Sequence, residues 1–426
     1  MKTRAVRLYG AGDIRLEEFA LPDIGREEIL VRVMTDSICM STYKFYKQGQ
    51  AHKRCPPDVG RNPVVIGHEF SGDILRVGER WQNEFSPGQK FALQPQLDYE
   101  RCPYTPGYSY PYFGGDCTYA VLPAEVMERG NLLAYEGESY FEASLGEPVS
   151  CVMAGYRVNH HADPARNHGR RPGSKAGGCV LIEGGCGPMG LMATEYPLAL
   201  EEKPRLVVVT DIDPARLARA KRVIPPGRAA QKGIELHYLN PRETQDLYGT
   251  LLSLSGGRGY DDVFVYAPKE ELVELGDRLL APDGCLNFFA GPLDSSFSAR
   301  LNLYNCHYAG THFVGVSGST TQDLRDAIDL AAAGKIRPAV MVTHVGGLDA
   351  VVDTVGRLPD IPGGKKLIYT QIEMPLVALD DFEKRGEEQP LFARLAQSCK
   401  NHEGLWNAQA EKLLLEHFGV AAAEEV

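Results

Sequence analysis

The stretch Val180-Leu-Ile-Glu-Gly-Gly-Cys-Gly-Pro-Met-Gly190 constrains this chain more than any other segment. It sets Gly185, Gly187 and Gly190 in G-x-G-x-x-G spacing, directly after an apolar run and ahead of a helix-compatible one. That order implies a strand, a tight turn and a helix whose N-terminus faces phosphate groups. Gly185 is expected to permit the turn, Gly187 to let the backbone approach a pyrophosphate, and Gly190 to let the helix pack closely on the strand. Pro188 and Met189 complete the turn. Around this motif, strand candidates at 179–184, 206–211, 234–239, 260–267, 285–291 and 311–317 alternate with amphipathic stretches such as 214–222 and 270–280. Strands separated by helices of that length imply a right-handed, doubly wound parallel sheet, an α/β Rossmann domain.

The second strand candidate ends in Asp211, some 20 residues after the last glycine, where a carboxylate accepts hydrogen bonds from adenine ribose hydroxyls. Asp211 therefore favours NAD(H) over NADP(H), and Arg216 and Arg219 nearby leave room for NADP(H). Asp213, ahead of Pro214, reads as a helix N-cap.

Before residue 155 the texture differs. Short alternating runs such as 29–33, broken by Gly and Pro, suggest an irregular antiparallel β domain. Three segments there carry metal-binding chemistry. Cys39 offers a thiolate, His68 and Glu69 an imidazole and a carboxylate side by side, and Glu147 a second carboxylate. Sulfur, nitrogen and oxygen donors together suit Zn²⁺, and a catalytic site needs three of them with one position left open. Taken singly each has a plainer explanation, since a lone Cys is usually a small buried hydrophobe and Glu-Pro usually a turn.

These residues carry a resemblance to a known family. Gly67-His-Glu-x-x-Gly72 with Gly78 after it, the earlier Cys39, Glu147-Pro148, the glycine fingerprint and Asp211 follow the order seen in zinc-dependent medium-chain dehydrogenases/reductases. Glutamate at 147 is similar to the sorbitol dehydrogenase branch. The resemblance implies a GroES-like catalytic domain over 1–155, a Rossmann NAD-binding domain over 156–318, and a return to the catalytic domain with a helical tail over 319–426. It implies one catalytic zinc held by Cys39, His68 and one or both of Glu69 and Glu147. Ser41 would carry the hydroxyl proton, and Lys44 stands where the family often has a relay histidine. The stretch 94–117 holds only Cys102 and Cys117, so no structural zinc is expected. Homodimers or homotetramers are implied as well.

Within the family, segments 64–70, 106–112, 281–292 and 363–370 are most similar to reductases of ketose phosphates, which implies conversion of a ketose phosphate to a polyol phosphate. Lys44, Lys47, His52, Lys53 and Arg54 would supply the cations that a phosphoryl group needs. Three rivals remain: a polyol or threonine-type dehydrogenase on an unphosphorylated substrate, a zinc-free quinone-type reductase, and a non-catalytic NAD-binding protein on the same fold.

A formal charge of −11 with no basic run excludes a phosphate-tracking nucleic-acid surface. No stretch is long and apolar enough to span a bilayer, and the N-terminal residues lack a secretory core, so a cytoplasmic enzyme without a membrane partner is expected. Ten scattered cysteines without a C-x-x-C pair read as free thiols in a reducing compartment. The amphipathic stretch 405–418 is expected to be a docked C-terminal helix.

Overall fold

The computed structural model describes residues 1–97, 104–163, 165–166 and 169–421. The chain forms two compact units: Met1–Pro148 with Thr320–Gly334 and Val342–Val426, and Val149–Ser319 with Lys335–Met341. The chain passes from the first to the second inside the helix Tyr140–Val158.

The second unit is a six-stranded parallel sheet in the order Glu235–Leu239, Leu206–Thr210, Cys179–Glu183, Tyr260–Val265, Leu280–Phe288, His312–Gly315. Each of the six strand candidates is a strand, and the order reverses between Cys179–Glu183 and Tyr260–Val265, where doubly wound sheets bind ligands. Cys179–Glu183, Leu206–Thr210 and Tyr260–Val265 are buried along their whole length, as strands covered on both faces must be. Segment 335–341 belongs here because Arg337, with Arg228, clasps the fully buried Glu195, at 3.1 Å and 2.6 Å.

The first unit holds an eight-stranded sheet. Its central strand Ile29–Ile38 runs antiparallel to Phe70–Val77 on one side and to Lys365–Tyr369 on the other. Register pairs Asp36 with Phe70 and Ile38 with Lys366, so three strand ends far apart in sequence meet at one edge. The end of one is followed by Cys39, another is preceded by His68 and Glu69, and the third begins with Lys365. Alternating apolar residues of this sheet form a core around Val31, Val33, Phe70, Ile74, Phe91 and Phe113.

The tail is helical and docked. Pro390–Asn401 and Ala408–His417 bury Leu391, Leu395, Leu414 and Leu415, and the Trp406 indole donates to the Tyr369 hydroxyl at 2.7 Å. Among the described residues, no cysteine is in a disulfide and no helix is long and apolar enough to cross a membrane.

Candidate active site

Cys39, His68 and Glu69 each present a donor atom, and these atoms lie within 4.8 Å of one another. His68 and Glu69 are buried and Cys39 is partly accessible, so the cluster opens on one side. The His68 Nδ1 is buried with no hydrogen-bond partner among the described residues. Burial lowers the His68 pKa, which keeps its imidazole in the neutral form that a metal takes. Burial pushes the Cys39 thiol up, against the pull of the Lys365 charge. A soft thiolate, an imidazole and an acid at this spacing fit Zn²⁺.

The Glu69 carboxylate has other bonds to satisfy. Lys365 Nζ contacts both of its oxygens, 2.5 Å from Oε2, and the Ser37 hydroxyl donates to it as well. Burial opposes the charge on Lys365, but the Glu69 carboxylate outweighs that and holds the ammonium above its ordinary pKa. Glu69 is thus neutralised inside the protein, and it is less available as a ligand than its sequence neighbourhood suggests. Glu147 lies outside the three-residue cluster but within its field. Burial first, and the Glu69 charge second, push the Glu147 carboxyl up to about 7.

Ser41, in the first turn of the helix Met40–Gln48, places its hydroxyl 3.3 Å from His68 Nε2. Lys44 follows on the same helix, one turn on. Sequence reading missed the aromatic wall of this site. Tyr108 is buried, its ring 5.2 Å from that of His68 and stacked 5.2 Å from that of His52. Also missed was a buried acid pair. Asp36 accepts the Glu69 amide at 2.9 Å, and burial, reinforced by the charge of Asp116, raises its pKa well above the usual carboxylate value. Burial pushes Asp116 up to about 7.

In the second unit the turn differs from expectation. Gly184, not Gly185, takes the left-handed backbone, at φ +65°. Gly185 is required for space instead, since a Cβ there would stand 2.7 Å from both Ile182 and Val209. Gly187 caps the helix Pro188–Glu195, whose first residues include Met189, and a Cβ on Gly187 would meet nothing within 4 Å. A Cβ on Gly190 would stand 2.4 Å from the Gly185 carbonyl oxygen. Asp211 directly follows the strand Leu206–Thr210, and its carboxylate accepts from the Cys186 amide and the Asp213 amide, both at 3.0 Å. Asp213 caps its helix, accepting from Ala215 N at 2.9 Å, and lies 3.6 Å from Arg216 Nε. Arg219 donates to the Val340 carbonyl at 2.8 Å.

Of the cysteines in the region where a structural zinc lobe would lie, Cys117 is buried and directs its thiol at the Gly114 carbonyl, 3.3 Å away. Cys102 lies outside the described residues.

A doubly wound unit, together with a GroES-like unit that gathers Cys, His and Glu, defines a zinc-binding dehydrogenase. Models of that family match: an alcohol dehydrogenase GroES-like domain over residues 25–129 and a zinc-binding dehydrogenase over residues 188–333. The chain belongs to this family, the medium-chain dehydrogenases/reductases. It is 46% identical over 415 residues to L-sorbose 1-phosphate reductase of Klebsiella pneumoniae, covering 97% of this chain and 98% of the relative. To mannitol-1-phosphate 5-dehydrogenase of Aliivibrio fischeri it is 43% identical over 420 residues, 99% of each. Its fold is similar to that of 2R,3R-butanediol dehydrogenase from Bacillus subtilis, with a TM-score of 0.70 at 20% identity, over 86% of this chain and 99% of that one.

Proposed function

We propose that this enzyme transfers hydride between NAD(H) and a ketose phosphate/polyol phosphate pair, reducing L-sorbose 1-phosphate to D-glucitol 6-phosphate. The observation that carries the reading is the convergence of Cys39, His68 and Glu69 with a charged Lys365 behind them. Likeness over nearly the whole chain to a reductase named for that sugar phosphate narrows the substrate class.

Cys39 and His68, with Glu69 or Glu147, would hold the zinc. Bound there, zinc supplies a Lewis acid that polarises the carbonyl or lowers the pKa of the alcohol. The protein's own work is alignment and proton handling. Lys365 keeps the buried carboxylate of Glu69 compensated, so the thiolate of Cys39 is not opposed by a second naked charge. When bound, NADH would supply the hydride for the carbonyl carbon and the Ser41 hydroxyl would deliver a proton to the oxygen, so that NAD⁺ and the polyol phosphate result. Lys44 is the candidate for the outer end of that relay.

The helix N-terminus at Gly187-Pro188-Met189 would meet the pyrophosphate, with Gly185 and Gly190 holding the turn against the strand. Asp211 would accept from the ribose hydroxyls and repel a 2′-phosphate, which supports NAD(H). Arg219, engaged at Val340, is poorly free to reverse that preference, so Arg216 is the residue left to admit NADP(H). A homo-oligomer in the cytoplasm completes the reading.

A panel of phosphorylated and free ketoses, with NADH and NADPH, before and after chelation, tests it. Expected are turnover of L-sorbose 1-phosphate with NADH and loss of turnover on chelation, restored by Zn²⁺. Activity that survives full removal of metal would overturn the mechanism. Binding of NADH and zinc without turnover of any ketose or polyol would make the chain a non-catalytic member.

A further inference from the structure

The basic segment that follows Cys39 holds five candidate cations; Lys44 is assigned to the relay proposed above, and the structure separates the other four. Burial, and then the charges of Arg54 and Lys53, lower the His52 pKa to about 4, so His52 is neutral at physiological pH. The Lys47 ammonium lies 5.8 Å from the ring centres of both Tyr43 and Tyr46, along its own helix. Lys53 is exposed.

Arg54 differs from these. Its Cζ stands 5.4 Å from the centre of the Tyr108 ring, and that ring is 5.2 Å from the ring of His68. The guanidinium is therefore no farther from the His68 ring than those two distances laid end to end. In the proposed substrate the phosphorus is three bonds from the carbonyl carbon, and the contacts at either end, guanidinium to phosphoryl and His68 to carbonyl, make up the rest of that span. Its backbone is fixed on both sides: the Arg54 amide donates to His52 Nδ1 at 3.3 Å, and its carbonyl accepts from the Ser109 hydroxyl at 2.8 Å. Ser109 adjoins Tyr108, so one hydrogen bond ties the segment that carries the cation to the segment that carries the ring. Arg54 is partly accessible and forms no ion pair with a carboxylate among the described residues. A planar guanidinium held over an aromatic face and lacking a carboxylate matches phosphate in a two-pronged geometry better than a flexible ammonium does.

We infer that Arg54, held over the Tyr108 ring, receives the phosphoryl group of the substrate and is the residue that sets the preference for a phosphorylated over a free sugar. This rests on the function proposed above and assigns its substrate selectivity to one side chain. Tyr108 is a positioning residue here, because it acts on the substrate through Arg54.

The test compares the intact enzyme with Arg54→Gln and Arg54→Lys, using L-sorbose 1-phosphate and L-sorbose. The ratio of kcat/KM for the phosphorylated over the free ketose is expected to fall about 100-fold in Arg54→Gln, mainly through KM, and to recover in part in Arg54→Lys. A second readout does not need turnover: millimolar inorganic phosphate should raise the thermal midpoint of the intact enzyme and not that of Arg54→Gln. If Arg54→Gln does not fold, as judged by circular dichroism, Arg54→Lys carries the comparison, with a fall of several-fold in the same ratio expected. An unchanged ratio, or equal losses on both ketoses, overturns the assignment of Arg54 and leaves the proposed reaction standing. Turnover of neither ketose by the unaltered enzyme overturns the reaction and this inference together.

Discussion

Lys365 and Glu69 form a buried ion pair, their side chains 5% and 1% exposed, joined across 296 residues of sequence. Two charges out of water are tolerated only when each compensates the other. Lys365→Met leaves the carboxylate unpaired, and a broken buried pair costs about 3–5 kcal/mol. The double variant Glu69→Gln/Lys365→Met should recover much of that loss, since it removes both charges. Urea unfolding of the two single variants and the double variant measures the coupling, and simple additivity would refute the pairing as an energetic unit.

Glu411 ties the C-terminal tail to the helix Tyr140–Val158 and to the strand Lys365–Tyr369. Its carboxylate accepts from the Tyr140 and Phe141 amides at 2.7 and 3.0 Å and from the Tyr369 hydroxyl at 2.9 Å. It thereby caps the first turn of the helix Tyr140–Val158, which carries Glu147 two turns on. Removing an acceptor that leaves buried donors bare costs about 1–3 kcal/mol per group. Glu411→Ala should therefore destabilise the protein by about 3 kcal/mol or more, and Glu411→Gln by less. Differential scanning calorimetry gives the order; equal loss in both variants would mean that shape, not hydrogen bonding, is what Glu411 supplies.

The parts of the molecule that could be read from sequence are those whose signal is local. The doubly wound sheet announces itself through strand-length apolar runs alternating with amphipathic ones, and its six strands stand where that rhythm puts them. His68 and Glu69 are neighbours in the chain, but their nearness to Cys39 is expected from the family resemblance, not from a local pattern. What was not legible comes from long-range register. Lys365 reaches Glu69 because Lys366 pairs with Ile38 across two strands, and no pattern near residue 365 encodes that pairing. Tyr108 and Asp116 sit in an irregular segment with no period to read. The turn glycine is misassigned by one residue because the G-x-G-x-x-G spacing counts Gly185, Gly187 and Gly190 and passes over Gly184. Only backbone angles tell that Gly184 makes the turn and Gly185 makes the space.

Glu183 gives a pH prediction. It is fully buried, neither carboxylate oxygen has a hydrogen-bond partner among the described residues, and burial raises its pKa well above the ordinary value. The folded state therefore keeps a proton that the unfolded chain releases above its own pKa of 4.5. Stability from this group is complete below pH 4.5. It is lost at about 1.4 kcal/mol per pH unit as the pH rises toward the folded-state value. Glu183→Gln removes that titration. Across pH 5.5 to 7.5 the stability of Glu183→Gln relative to the parent should rise by up to about 2.7 kcal/mol. A difference that does not change with pH would show that Glu183 is ionised in the fold.

The last two glycines of the fingerprint should fail in different ways when enlarged. Gly187 has φ −73° and ψ 172°, a conformation any residue adopts, and an added Cβ meets no protein atom within 4 Å. Gly187→Ala should therefore leave folding stability within about 0.5 kcal/mol. Its methyl group would occupy the space through which a pyrophosphate reaches the helix N-terminus, so NADH should bind at least tenfold more weakly. Gly190→Ala instead drives a Cβ to 2.4 Å from the Gly185 carbonyl oxygen, a clash with backbone that only a shift of the helix relieves. Here stability and NADH binding should fall together, by about 1–3 kcal/mol for the overpacking. Calorimetric titration with NADH beside thermal unfolding separates the two. If Gly187→Ala bound NADH normally, the cofactor's phosphates would not lie at this turn.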